Sequence, residues 1–226
     1  MDYYFLIFMI PALLLSLAAS AGVRSTYAKY SKVLSQRGMT GRDAAEYVLR
    51  SHSITDVNVV PIPGELTDHF DPRNRTIGLS EGVYNSTSVA ALGVAAHEAG
   101  HAVQHQEQYW PIRVRNAILP VASIGSSLSW YLILFGLILD FLFLAELGVA
   151  FFGIAVLFQL ITLPVEFNAS RRAMTALETG GILSSEELSK TGKVLRAAAM
   201  TYVAALAVSI LQLLRYVLMV SGRRRD

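Results

Sequence analysis

The chain has 226 residues, 53% of them hydrophobic and only 16% charged, with a net charge of +2 and no cysteine. About a quarter of the residues in soluble domains are charged, so an ordinary soluble globule does not fit. The absence of thiols excludes disulfides and thiolate metal sites, and the small net charge gives no reason to expect a nucleic-acid partner.

The apolar residues gather in four runs, at residues 3–22, 117–139, 141–165 and 197–214. A helix needs roughly 20 apolar residues to cross about 30 Å of hydrocarbon. The first three runs meet that length, and the fourth, the shortest, is marginal. A soluble core this small could not enclose four such runs, so the chain is read as an integral membrane protein in the lipid bilayer. Met1-Asp2-Tyr3-Tyr4 provides no positive n-region, and the apolar stretch after it is too long for a usual signal peptide, which makes it a retained anchor.

Between these runs lie two polar segments, residues 23–116 and 166–196. In the first, Thr40-Gly41-Arg42-Asp43 has capping-box spacing and opens a short helix with Ala44, Tyr47 and Val48 on one face. Residues 57–62 are β-branched and bounded by proline and glycine, so they read as a strand. Thr76–Ser80 reads as a second, after the turn-rich "DPRN". Ser86-Thr87-Ser88 offers an N-cap for a helix reaching about Gln108, and Trp110-Pro111 is expected to stop it. The second polar segment continues the third apolar run as a helix, with Pro164 as a potential kink. Thr179-Gly180-Gly181 ends that helix, and Ser184 to Glu187 opens another with capping-box spacing. The expected organisation is an anchor (1–22), a polar catalytic segment (23–116), a transmembrane hairpin (117–165), a helical segment (166–196) and a fourth apolar helix with a basic tail (197–226).

Within the predicted helix, "AALGVAAHEAGHAVQHQ" places His97, His101 and His105 four residues apart, with Glu98 among them. Residues four apart sit one turn above each other, so His97 and His101 can share one ion. Zinc accepts neutral imidazole at about 2.0–2.1 Å. Glu98 lies about 100° around the helix from His97 and can flank the ion, hold its water and take a proton. This is H-E-x-x-H, a metalloprotease pattern. Three fixed letters in five recur by chance, and a partly wet helix with coincidental spacing is the competing reading. The small residues Gly93, Ala95, Ala96, Ala99, Gly100 and Ala102, which permit close approach of other backbone, favour the metal site.

A further ligand is needed. On a straight helix His105 lies about 12 Å from His97, so it is read as solvent-facing or supporting rather than ligating. Glu166, the first acidic residue after the third run, is the better candidate, because a carboxylate at the end of a span is costly without a partner or a task. The alternative for Glu166 is a boundary charge paired with Arg171 or Arg172. Glu178 is the runner-up ligand, and Glu146 falls at the opposite interface.

Together "TDHFDPRNRTIGLS", "VAAHEAGHAVQH", "LPVEFNASRRA" and "ALETGGILSSEEL" resemble the YugP-like membrane zinc metallopeptidases, the neutral zinc metallopeptidase family. The resemblance covers nearly the whole chain, with its four blocks in order. It implies one zinc ion, His97, His101 and Glu166 as ligands and Glu98 as the catalytic base. The fold expected is a mainly α integral membrane protein, with three to four transmembrane helices and a membrane-proximal zincin-like α+β catalytic region. A more distant similarity runs to HtpX-like and CAAX-prenyl membrane proteases, whose third-ligand glutamate opens E-(F/Y)-x-A-D. Here the stretch is Glu166-Phe167-Asn168-Ala169-Ser170, with serine in place of the aspartate.

The expected reaction is hydrolysis of peptide bonds, zinc polarising the carbonyl and Glu98 moving the proton. Arg171, Arg172 and His69 are candidate oxyanion donors, and Thr76–Ser80 is a candidate edge for an extended substrate. A ligand at the end of a span places the site at the membrane surface, with membrane-associated proteins or peptides as substrates. Arg24, Lys29, Lys32, Arg113, Arg115, Arg171 and Arg172 mark the catalytic side as cytoplasmic. Met1-Asp2 and the Asp140–Glu146 turn then lie outside, where the tail arginines Arg223, Arg224 and Arg225 are the discordant charges if the fourth run crosses. A zinc-stabilised membrane scaffold that presents peptides without cleaving them is the rival reading; only the enzyme needs Glu98. A small transporter is weaker, because the histidines fall outside the spans.

Overall fold

The computed structural model of the protein describes residues 3–223. In chain order the elements are α1 (Tyr3–Tyr30), α2 (Gly41–Ser51), β1 (Asn58–Ile62), β2 (His69–Asp71), β3 (Thr76–Ser80), α3 (Glu81–Tyr84), α4 (Val89–Gln106), α5 (Trp110–Ile138), α6 (Leu142–Thr179) and α7 (Ser185–Arg223). The chain is mainly helical, with one small sheet.

Four helices are long and apolar enough to cross a membrane: Phe5–Tyr30, Trp110–Ile138, Leu142–Thr179 and Ser185–Arg223. The fourth apolar run is therefore part of a 39-residue helix rather than a marginal one. Within the apolar stretch of α1 only 6% of residues are buried inside the protein, and Leu6, Leu13, Leu14 and Leu17 all stand exposed. So large an uncovered apolar surface calls for lipid rather than water.

The chain divides into two compact units. One holds the described residues of Met1–Ser20, Arg113–Pro164 and Met200–Asp226. In it α5 and α6 approach through glycines: a Cβ on Gly136 would lie 2.4 Å from the Ala145 nitrogen, and one on Gly148 2.8 Å from the Ser129 carbonyl oxygen. At the end of α7, Arg223 donates to the Leu137 carbonyl at 2.9 Å and to Asp140 Oδ1 at 3.2 Å. This tail arginine therefore meets the α5–α6 turn and its acidic residue. Met1, Asp2, Arg224 and Arg225 lie outside the described residues.

The other unit, Ala21–Ile112 with Val165–Ala199, carries the sheet and the aqueous chemistry. Its local signals act as the sequence suggests. The Thr40 side chain accepts from the Asp43 N–H, and the Asp43 carboxylate accepts from the Thr40 N–H at 2.9 Å, completing the capping box of α2. Ala44 and Val48 of α2 are buried and Tyr47 is half-buried. The box at α7 forms too, with the Ser184 N–H donating to Glu187 at 2.7 Å. Gly181 adopts φ 57° just past α6, a left-handed conformation suited to glycine. Helix α4 ends at Gln106, slightly short of expectation. Trp110-Pro111 does not stop it but opens α5, where a proline in the first turn loses no helical hydrogen bond.

The sheet has the order β1-β3-β2, with β1 parallel and β2 antiparallel to β3. The edge strand β2, which the sequence reading does not anticipate, covers three residues and pairs His69 with Gly78 and Asp71 with Thr76. Asp71 also fixes the turn, its Oδ1 accepting from the Arg73 N–H at 2.8 Å. The strand arrangement corrects one expectation. Thr76–Ser80 is the central strand, hydrogen-bonded on both sides, and has no edge to offer a substrate; the free edges are β1 and β2. Its residues Ile77 and Leu79 are fully buried, as befits a strand covered on both sides. Pro61 lies in β1, where a missing N–H is tolerated at an edge.

Candidate metal centre

Helix α4 is the buried centre of its unit, and its composition explains how. Ser88 caps it by accepting from the Ala91 N–H at 3.2 Å. Ala95, Ala96 and Ala99 are completely buried, small enough to let neighbouring elements close in. Two glycines mark the nearest approaches. A Cβ on Gly93 would lie 2.5 Å from Thr191 Cγ2, and one on Gly100 would lie 2.7 Å from the Ala169 carbonyl oxygen. Gly100 thus allows the backbones of α4 and α6 to meet beside the histidines.

That approach brings Glu166 of α6 to His97 and His101. Glu166 is only 3% exposed. Its Oε2 lies 3.3 Å from His97 Nε2 and 3.6 Å from His101 Nε2, and one ligating atom from each residue falls within 4.8 Å of the others. The same Oε2 is buried without a hydrogen-bond partner. A buried, unsatisfied carboxylate oxygen facing two imidazoles needs an explanation, and a cation between them supplies one. Two donors each about 2.0–2.1 Å from a tetrahedral zinc stand about 3.3–3.4 Å apart, close to the separations seen. Two imidazoles and a carboxylate are a donor set that zinc takes, so the residues fit the ion. Burial disfavours a charged His101, but the Glu166 and Glu98 carboxylates outweigh it and raise its pKa.

The opposite edges of both rings are anchored. His97 Nδ1 meets Ser170 Oγ at 3.1 Å, so Ser170 reaches the ring of a candidate ligand. His101 Nδ1 meets Gln104 Oε1 at 3.0 Å. The sequence carries a signal for Gln104 that its residue type alone does not: it lies seven residues after His97 and three after His101, on the same helical face.

The remaining candidates are placed as follows. Glu98 is half-buried on α4 beside the cluster. His105 is apart from it, its ring set edge-on to Phe70 of β2 at 5.9 Å. Glu178 is exposed near the end of α6, and Glu146 belongs to the other unit. Glu166 makes no ion pair with Arg172, which instead holds Glu107 at 2.7 Å, donates to Asn168 Oδ1 and lies over the Tyr109 ring. His69 Nδ1 is engaged with the Thr67 carbonyl at 2.9 Å. Arg171 is exposed and, with Arg172 and His52, lines a cavity of about 440 Å³.

Residues 5–221 match the family described as "Putative neutral zinc metallopeptidase". The chain belongs to this family. It is also 46% identical over 220 residues to the protein named "Putative membrane protease YugP" of Bacillus subtilis (strain 168), covering 97% of this chain and 98% of that one. No solved structure matches it. For a neutral zinc metallopeptidase a zinc site is implied, and among the described residues His97, His101 and Glu166 form the cluster able to supply it. The four long apolar helices accord with a membrane protease.

Proposed function

We propose that this chain is a membrane-embedded zinc endopeptidase with a zincin-like catalytic region and a single ion. Its substrates are membrane-associated proteins or peptides, cleaved at the cytoplasmic face of the cell membrane. The observation that carries the reading is the buried, unpartnered Glu166 Oε2 facing the Nε2 atoms of His97 and His101. In this reading those three residues are the ligands, an H-E-x-x-H pair closed by a glutamate.

Zinc, when bound, supplies a Lewis acid that polarises the scissile carbonyl and acidifies water. The protein supplies the rest. Glu98, next to His97 in sequence but outside the ligand cluster, takes the proton from the attacking water and delivers it to the leaving amine. Burial of the ligands keeps bulk water away and strengthens every charge interaction there. The outer edge of β2, whose Phe70 packs on His105 of α4, is the edge along which an extended peptide is expected to pair.

The membrane location follows from the ligand. Glu166 sits two residues beyond Pro164 in a helix whose preceding residues are apolar enough to span, which supports a site close to the membrane surface. The basic residues flanking the catalytic segment favour the cytoplasmic side, and the Asp140–Arg223 pair offsets one of the tail charges.

The test is a Glu98→Gln variant measured for zinc content and peptide cleavage beside the parent. The enzyme reading expects zinc in both and a loss of cleavage of about 10²–10⁴-fold in the variant. Equal behaviour of the two would replace it with a zinc-stabilised scaffold.

A further inference from the structure

Gln104 is completely buried, and its three hydrogen bonds leave its amide only one orientation. Its Nε2 lies 2.8 Å from the Val165 carbonyl oxygen. A carbonyl can only accept, so the nitrogen of the amide must face it. The same Nε2 donates to Asn168 Oδ1 at 2.9 Å. That atom is fixed as oxygen in turn, because Arg172 Nε, which can only donate, reaches it at 2.7 Å. Arg172 is held from its far side by Glu107 at 2.7 Å. Two independent donor-only or acceptor-only groups therefore give the amide the same sense.

Gln104 Oε1 is what remains for His101, at 3.0 Å from Nδ1. An amide oxygen only accepts, so Nδ1 carries the hydrogen and Nε2 presents its lone pair. We propose that Gln104 is a positioning residue, which locks His101 in the Nδ1–H tautomer and aims its Nε2 at the metal position. His97 lacks an equivalent constraint, because its partner is the Ser170 hydroxyl, which can donate or accept. The chain Glu107–Arg172–Asn168–Gln104–His101 also ties the ligand-bearing turn of α4 to the first turns of α6 beyond Pro164, the stretch that carries Glu166. One buried amide thus sets the tautomer of one ligand and its register against another.

This inference rests on the metal-site reading, and the experiment separates the two. The full-length protein in detergent is measured for zinc affinity by chelator competition, for the visible spectrum of its cobalt(II) form and for thermal stability. Gln104→Met keeps the length of the side chain and removes both donor and acceptor. It is expected to weaken zinc binding about 10–100-fold, as loss of a ligand's hydrogen-bond partner does, and to alter the cobalt bands. Gln104→Glu keeps an acceptor for His101 but turns an oxygen toward the Val165 carbonyl. It is expected to be the less stable of the two variants and yet to hold zinc more tightly than Gln104→Met. A purely structural pin would give the opposite order of zinc affinity. Parent-like zinc affinity in Gln104→Met, or no better affinity in Gln104→Glu, overturns the proposal.

Should Gln104→Met not fold, Asn168 serves. Asn168→Asp preserves an acceptor for Gln104 and is expected to bind zinc as the parent does, whereas Asn168→Leu, which removes one of the two anchors, binds it more weakly. Equal affinity of Asn168→Leu and parent overturns the proposal as well. A parent that takes up no more zinc than His101→Ala overturns the metal-site reading itself.

Discussion

Replacing Gly100 by alanine adds one carbon where α4 and α6 touch. That carbon would lie 2.7 Å from the Ala169 carbonyl oxygen, 3.3 Å from its carbon and 3.4 Å from its Cα. Carbon–oxygen contacts settle at about 3.3–3.6 Å, so the helices must part by about 0.6 Å or more. The obstacle is backbone, which cannot rotate away. Overpacking of this kind costs about 1–3 kcal/mol, and the better helix propensity of alanine returns about 1 kcal/mol. The net loss of stability is then about 0–2 kcal/mol. The metal site responds more strongly, because a workable ligand shell tolerates only about 0.2 Å in its bond lengths. A displacement about three times that tolerance moves Glu166 against His97 and His101, and zinc affinity should fall at least about tenfold, equivalent to about 1.4 kcal/mol. Chelator competition reads the affinity, and a thermal melt in excess chelator reads the fold. Gly93→Ala is the control. Its new carbon meets the Thr191 methyl group 2.5 Å away on α7, an element that carries no proposed ligand, so it should lower stability and leave zinc affinity intact. Parent-like zinc binding in Gly100→Ala, or an equal loss in Gly93→Ala, would refute the idea that this contact sets the site.

Further tests address the ligand set, the cap and the orientation. Glu166→Ala should abolish zinc uptake, measured by metal analysis after desalting, whereas His105→Ala and Glu178→Ala should retain it. Asp43 is held below its usual pKa first by the Thr40 hydroxyl and then by the Thr40 N–H. Its contribution to stability is therefore present above the unfolded value, about 3.9, and is lost as pH falls through the lower folded value. In melts from pH 5 down to pH 3, Asp43→Ala should show a shallower loss than the parent, and an unchanged slope would argue against the cap. Because the chain has no cysteine, single thiols report orientation directly. In intact cells a membrane-impermeant thiol reagent should label Leu139→Cys, at the exposed α5–α6 turn, but not Arg73→Cys, in the exposed turn before β3; the reverse pattern would invert the proposed topology.

Much of the architecture was legible because its causes are local. The caps at Thr40 and Ser184 depend on residues three apart, and the glycine stop after α6 depends on one backbone conformation. Features that depend on distant partners were not legible in the same way. Strand β2 pairs only three residues, too few for an alternation to show. The central place of Thr76–Ser80 is not legible because a strand's own residues do not reveal whether its two sides are occupied. Gln104 reads as one more polar residue on a helix, since Val165 and Asn168, the partners that fix its amide, lie more than sixty residues away.

By itself the sequence determined most of the helices, three of the apolar runs long enough for a bilayer, and that His97 and His101 share a face, since each of these follows from periodicity within one segment. Only the tertiary structure decided which acidic side chain meets those histidines, which strand takes the centre of the sheet and which atom of Gln104 faces His101. The first and last of those outcomes depend on how closely α4 and α6 approach, and the second on how the strands pair. The distance between the helices is set by the missing side chain at Gly100 and by the need to satisfy every buried polar group around it, conditions that exist only once the chain has folded.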